Sequence, residues 1–98
     1  MLQNFKAYQL AKKLYHECEK VRMRDFLHLQ LLRAASSVVL NLAEGSGKQT
    51  AKEQKRFYFI ALGSLREVQA VLELSHAPQA LKDQAHELGG LVYRLARG

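Results

Sequence analysis

The sequence is short of several things at once. Cys18 is its only cysteine, Pro78 its only proline, and nine acidic residues stand against fifteen lysines and arginines. A lone cysteine has no partner within the chain, so a disulfide scaffold is excluded. No uninterrupted apolar run reaches the ~20 residues needed to span a bilayer. The opening MLQNFKAYQLAKK is amphipathic rather than a signal peptide, so the expected location is the cytoplasm, with no membrane association. Strand-type alternation, internal repeats and low-complexity linkers are all missing. With 48% apolar and 24% charged residues the chain is not intrinsically disordered. Its 98 residues suit one domain, residues 1–98, burying about 60–65% of its unfolded surface and therefore only marginally stable alone.

What is present is helical periodicity. Ala7, Leu10, Ala11, Leu14, Cys18 and Val21 follow three- and four-residue steps, predicting a first helix from about Asn4, a plausible N-cap, to about Arg22. Asp25 can cap a second helix that ends near Glu44, with Gly45 in the left-handed conformation as its stop. GSGKQ is then a loop, and Thr50 with Glu53 has the capping-box spacing that opens a third helix running to about Ser75. Pro78 suits the first turn of a fourth helix that reaches the C-terminus. Short connections between four such helices predict an all-α, antiparallel up-down-up-down four-helix bundle. Gly89-Gly90 sits inside the last helix, which implies either a kink or a close neighbouring backbone.

Two helices carry more apolar surface than one interior can take. Residues 26–43 hold twelve apolar side chains and residues 57–72 hold eleven, where a bundle helix needs roughly three in seven. Burying both sides of such a helix calls for self-association, or for a different protein on the second face.

The net charge is +6, and the basic groups form two zones along the chain. Lys6, Lys12, Lys13, Lys20, Arg22 and Arg24 face only Glu17 and Glu19, and Lys6, Lys13 and Lys20 recur every seven residues opposite the apolar stripe. Lys48, Lys52, Lys55 and Arg56 face only Glu53. Such zones suit RNA, DNA or another polyanion, or else a solvated surface. Without a base-reading motif, the expected contacts are to phosphate.

Motifs for chemistry are absent or incomplete. On the wheel of the third helix Glu67 falls between Ile60, Val71 and Leu74, predicting a carboxylate among apolar neighbours that needs a partner. Helix two offers Arg33, Ser37, Asn41 and Glu44 as a polar strip, either solvated or facing helix three with Arg33 or Asn41 satisfying Glu67. A di-iron bundle site needs Glu-x-x-His pairs, and none occurs. His16, His28, His76 and His86 lack ligand spacing, so no metal and no cofactor is expected. GSGKQT departs from the phosphate-loop pattern, with Gln49 where Ser or Thr is required and Leu42 where Gly is required. No nucleophile with a base is visible, and the expectation is a protein that is not an enzyme.

The run LRAASSVVLNLAEGSGKQT followed by RFYFIALGSLREVQAVLEL resembles the signature of bacterial four-helix-bundle proteins first noticed in intervening sequences of 23S ribosomal RNA genes. The matching positions are Arg33, Ala34, Ser36, Ser37, Asn41, Ala43, Glu44, Gly45, Phe57, Ala61, Gly63, Ser64 and Glu67. The first and last helices match only in length and pattern, and Gly89-Gly90 departs from the family. The resemblance implies a ring-like homopentamer, with mostly structural roles for the matched residues. It extends in architecture to the accessory variability determinant proteins of diversity-generating retroelements, which associate with nucleic acid and a reverse transcriptase. These observations together predict an oligomeric accessory or scaffold protein on the RNA or DNA backbone. The alternative is a protein-interaction scaffold whose basic charge is incidental.

Overall fold

The computed structural model describes residues 2–98. After a 3-10 turn at Leu2–Asn4 come four α-helices: α1 (Lys6–Glu19), α2 (Asp25–Ser46), α3 (Ala51–Leu74) and α4 (Gln79–Arg97). They form an elongated bundle of 40 × 20 × 18 Å. Each helix packs on its sequence neighbours, and α1 packs on α4 to close the square. Contacts between Gln30 and Glu67, Ser37 and Ser64, and Gly45 and Tyr58 run up α2 and down α3, which sets these helices antiparallel.

The core follows the predicted stripes. Leu14, Leu31, Leu42, Leu65, Leu72 and Leu88 are fully buried, with Val38, Val68, Val92 and Cys18 between them. Burying each such leucine contributes about 1.5–3 kcal/mol. Among the described residues no polar or charged side chain is buried, so the interior is held by packing alone. Polar links lie at its edges: His28 Nε2 donates to the Cys18 carbonyl at 3.1 Å, satisfying an acceptor at the end of α1 from the start of α2.

Helix ends match expectation at α3, where the Thr50 hydroxyl accepts from the Glu53 N–H at 3.2 Å. Elsewhere they differ. Asn4 lies in the 3-10 turn and Phe5 takes the N-cap position of α1, which stops at Glu19. Asp25 is the first residue of α2 rather than its cap. Gly45 does not stop α2; it is buried within the helix, which continues to Ser46 and is followed by Gly47 at a right-handed φ of −90°. A Cβ on Gly45 would stand 2.7 Å from the Tyr58 ring, so the glycine lets α3 approach. At the end of α3 the left-handed residue is His76 (φ 55°), where the Ala77 N–H reaches Leu72 O at 3.1 Å and the His76 N–H reaches Glu73 O at 3.4 Å. This is the double closure of a Schellman turn, built without glycine.

α2 also corrects the expectation from apolar runs. It is 22 residues long with an 18-residue window of mean hydropathy 1.3, enough by length and composition to cross a membrane. Its apolar side chains are divided between the core and an outer face, and Arg33, Ser37 and Asn41 interrupt them midway.

Gly89-Gly90 lies in continuous helix. A Cβ at Gly89 would make an ordinary contact, 3.5 Å from Gln69 Nε2, and one at Gly90 would come no nearer than 3.7 Å to Arg94. Neither glycine is required by packing within the chain. In denaturant unfolding, Gly89→Ala and Gly90→Ala should each raise stability by about 1 kcal/mol. Gly45→Ala should lower it by about 1–2 kcal/mol, because ring overlap outweighs the gain in helix propensity.

Candidate nucleic-acid interface

Antiparallel packing gathers residues by helix end rather than by position in the chain. At one end of the bundle lie the start of α1, the end of α2, the Gly47–Thr50 connection, the start of α3 and the end of α4. Tyr58 of α3 stands 6.1 Å from the Phe5 ring, and Phe5 and Lys6 share a groove with Leu91, Arg94 and Leu95 of α4. The Lys55 side chain reaches the backbone of Gly98. This end carries Lys6, Lys48, Lys52, Lys55, Arg56, Arg94 and Arg97, against only Glu44 and Glu53.

The other end is balanced. Lys20, Arg22, Arg24 and Lys82 stand among Glu17, Glu19, Asp25, Glu73 and Asp83. Lys20 pairs with Glu17 at 3.3 Å and Lys82 with Glu73 at 3.4 Å. Lys13 is midway, lining a groove with Leu10, Gln84 and Glu87. At 1.5 Å per residue α1 separates Lys6 from Lys20 by about 21 Å, over twice the screening length at physiological salt. The first basic zone is therefore divided: Lys6 joins Lys48, Lys52, Lys55 and Arg56, while Lys20, Arg22 and Arg24 do not. Arg94 and Arg97 belong to the basic end and were missed, although their place in the last turn of α4 combined with the predicted topology puts them there.

Aromatic rings organise part of this end. Lys48 Nζ lies 5.1 Å from the Phe57 ring centre and the Arg56 guanidinium carbon 5.5 Å from the same ring. Arg97 lies 5.5 Å from the Tyr93 ring. Lys48 also pairs with Glu44 at 3.1 Å.

Of the polar strip of α2, Ser37 reaches α3 across the seam between the two helices and Asn41 supports it from within α2. Ser37 and Ser64 share a hydroxyl hydrogen bond at 2.7 Å, and Asn41 Nδ2 donates to Ser37 O at 2.8 Å and to Ser37 Oγ at 3.1 Å. Glu67 is not buried; it is exposed, and its carboxylate accepts from Gln30 Nε2 rather than from Arg33 or Asn41. Arg33 is exposed on the outer side, and Glu44 turns toward Lys48. Phe26, Leu29, Leu40, Phe59 and Leu74 are each more than half exposed, with Ile60 at 43%, and Leu40 lines a groove with Lys12, Tyr15, Ser36 and Val39 between α1 and α2. Gly63 lies on α3, and a Cβ there would meet nothing within 4 Å.

Cys18 is fully buried, and its thiol is pushed up to about 12, first by burial and then by Glu17. It therefore stays protonated and acts as an apolar side chain.

The arrangement defines a small all-α bundle with one basic end and an apolar outer side. By sequence the chain belongs to the 23S rRNA-intervening sequence protein family, whose family model matches residues 4–97. Comparison with curated proteins and with solved structures found no match.

The seam allows a direct energetic check. Removing one hydroxyl leaves the other half-buried and unpaired, so Ser37→Ala or Ser64→Ala should cost about 1 kcal/mol in chemical denaturation. The double variant should cost little more than either single one, a coupling of about 1 kcal/mol. Glu67→Ala, at an exposed site, should cost less than about 1 kcal/mol.

Proposed function

We propose that the protein is an oligomeric accessory protein, without enzymatic activity, that holds the phosphate backbone of RNA or DNA on its basic end. The observation that carries this reading is the meeting of Lys6, Lys48, Lys52, Lys55, Arg56, Arg94 and Arg97 from three helices and a connection. Cations of this density attract a polyanion without reading its sequence. The membership in a family named for intervening sequences of 23S rRNA genes is compatible with an RNA-associated role. A cytoplasmic location without membrane contact fits the reading, and a reverse transcriptase or other nucleic-acid enzyme is the class of protein such an accessory factor would serve.

Self-association is the second element of the proposal. The exposed Phe26, Leu29, Leu40, Ile60 and Leu74 lie on α2 and α3, where a monomer would leave them in water. Gly63 costs a helix interior about 1 kcal/mol, and among the described residues a Cβ there would meet nothing that calls for its absence. A second backbone approaching that point would justify it, and the family resemblance supports five copies. The same face favours a protein-interaction scaffold as the second reading.

Binding to mixed-sequence RNA and DNA should weaken steeply with salt, with a slope of about −0.7 to −0.9 per phosphate neutralised. Neutralising Lys48, Lys52, Lys55 and Arg56 together should flatten that slope, whereas neutralising Lys20, Arg22 and Arg24 should change it little. If the wild type binds neither nucleic acid at low salt, the scaffold reading replaces this one.

Light scattering at micromolar concentration should give a closed oligomer of the 11.1 kDa chain. Gly63→Leu should dissociate it while leaving the helical circular dichroism signal intact. A monomeric wild type would refute the association.

A further inference from the structure

We propose that Lys48 and Arg56, held by the ring of Phe57, form a contact for one backbone phosphate, and that Glu44 opposes its occupation. This rests on the nucleic-acid reading above and assigns a particular site within it. The two cations come from different elements, Lys48 from the connection after α2 and Arg56 from the second turn of α3. Both face one aromatic ring, at 5.1 and 5.5 Å from its centre. Two like charges drawn to one ring repel each other, and the only ion pair that relieves them among the described residues is Lys48 with Glu44 at 3.1 Å.

Three consequences follow from elementary electrostatics. A phosphate entering beside Phe57 would relieve the repulsion and replace Glu44 as the partner of Lys48. Glu44 remains 56% exposed and can swing into water when displaced. Lys48 is two-thirds covered, with 31% of its side chain exposed, so less side-chain freedom is lost on binding than for a free lysine. Phe57 is thus a positioning residue: it carries no charge and acts by holding two groups that do. Gly45, which lets α3 approach α2, has the Phe57 Cβ 3.1 Å from where its own Cβ would be, so the packing of the two helices fixes where the ring stands.

The test is a fluorescence titration of the full chain with labelled mixed-sequence RNA and with duplex DNA. Phe57→Leu, which alters no charge, should weaken binding about two- to five-fold, and Phe57→Trp should preserve it, since the indole holds cations at least as well. Glu44→Gln should tighten binding about two- to five-fold by freeing Lys48. Glu53→Gln removes the same charge one turn before Arg56, where among the described residues it forms no ion pair with either cation, and should tighten it less. Melting curves accompany each variant; if Phe57→Leu fails to fold, the comparison of Glu44→Gln with Glu53→Gln decides alone. Wild-type affinity in a folded Phe57→Leu, or equal tightening by the two glutamine variants, overturns this site while leaving the nucleic-acid reading standing. Absence of wild-type binding overturns that reading and the site with it.

Discussion

The packing of α2 against α3 is the contact on which the other features depend. At one end Gly45 admits the Tyr58 ring, in the middle Ser37 meets Ser64, and further along Gln30 meets Glu67. These three points fix the register of two long antiparallel helices. Register in turn decides that the Gly47–Thr50 connection is short and that Lys48 and Arg56 both lie near the Phe57 ring. Gly45, Ser37, Asn41, Ser64 and Glu67 all belong to the signature by which the chain resembles its family, and all lie on this seam. At these five positions the signature marks a packing geometry.

Helix number, type and approximate limits were legible because period and caps are local properties; Thr50 with Glu53 is an example. The errors came where a local sign had two structural causes. A glycine near a helix end marks either a left-handed stop or a close approach, and Gly45 is the second kind. The wheel placed Glu67 between Ile60, Val71 and Leu74, and apolar neighbours were read as core. Of the three only Val71 is buried, while Ile60 and Leu74 are exposed, so the carboxylate lies at the edge of an outer face instead of inside the bundle. A wheel reports direction, and what lies in that direction depends on neighbours it does not contain. The basic zones failed differently. Grouping charges along the chain joined Lys6 to Lys20 and omitted Arg94 and Arg97, whereas an antiparallel bundle groups them by end.

The energetics are those of a small interior in which, among the described residues, no polar side chain is buried. Stability comes from leucine and valine packing, which supplies affinity between helices but little discrimination between alternative registers. Discrimination is left to the seam. A hydroxyl pair such as Ser37–Ser64 contributes about 1 kcal/mol when made and costs more when one partner is left unpaired, so a slipped register is penalised at that point. A chain of this size also has little stability in reserve. Leaving Phe26, Leu29, Leu40 and Leu74 in water forfeits apolar burial that a second copy would recover.

The side and the end of the bundle are different surfaces, and this separation matters for the proposed role. Copies meeting through the outer side of α2 and α3 would cover Ile60 and Gly63 without covering Arg94 or Arg97, which stand on α4. Assembly would then bring the basic ends together and leave them open. Repetition of a weak phosphate contact in several copies raises overall affinity, provided one polyanion can reach more than one copy. A mutation on the side would lower binding indirectly, by removing that repetition, and its effect would vanish for a ligand too short to bridge two copies. A mutation at the end would lower binding to short and long ligands alike. Ligand length thus separates the two surfaces: variants at Gly63 or Ile60 should bind a short oligonucleotide as the wild type does and lose affinity only for long RNA, while variants at Lys52 or Arg56 should lose affinity for both.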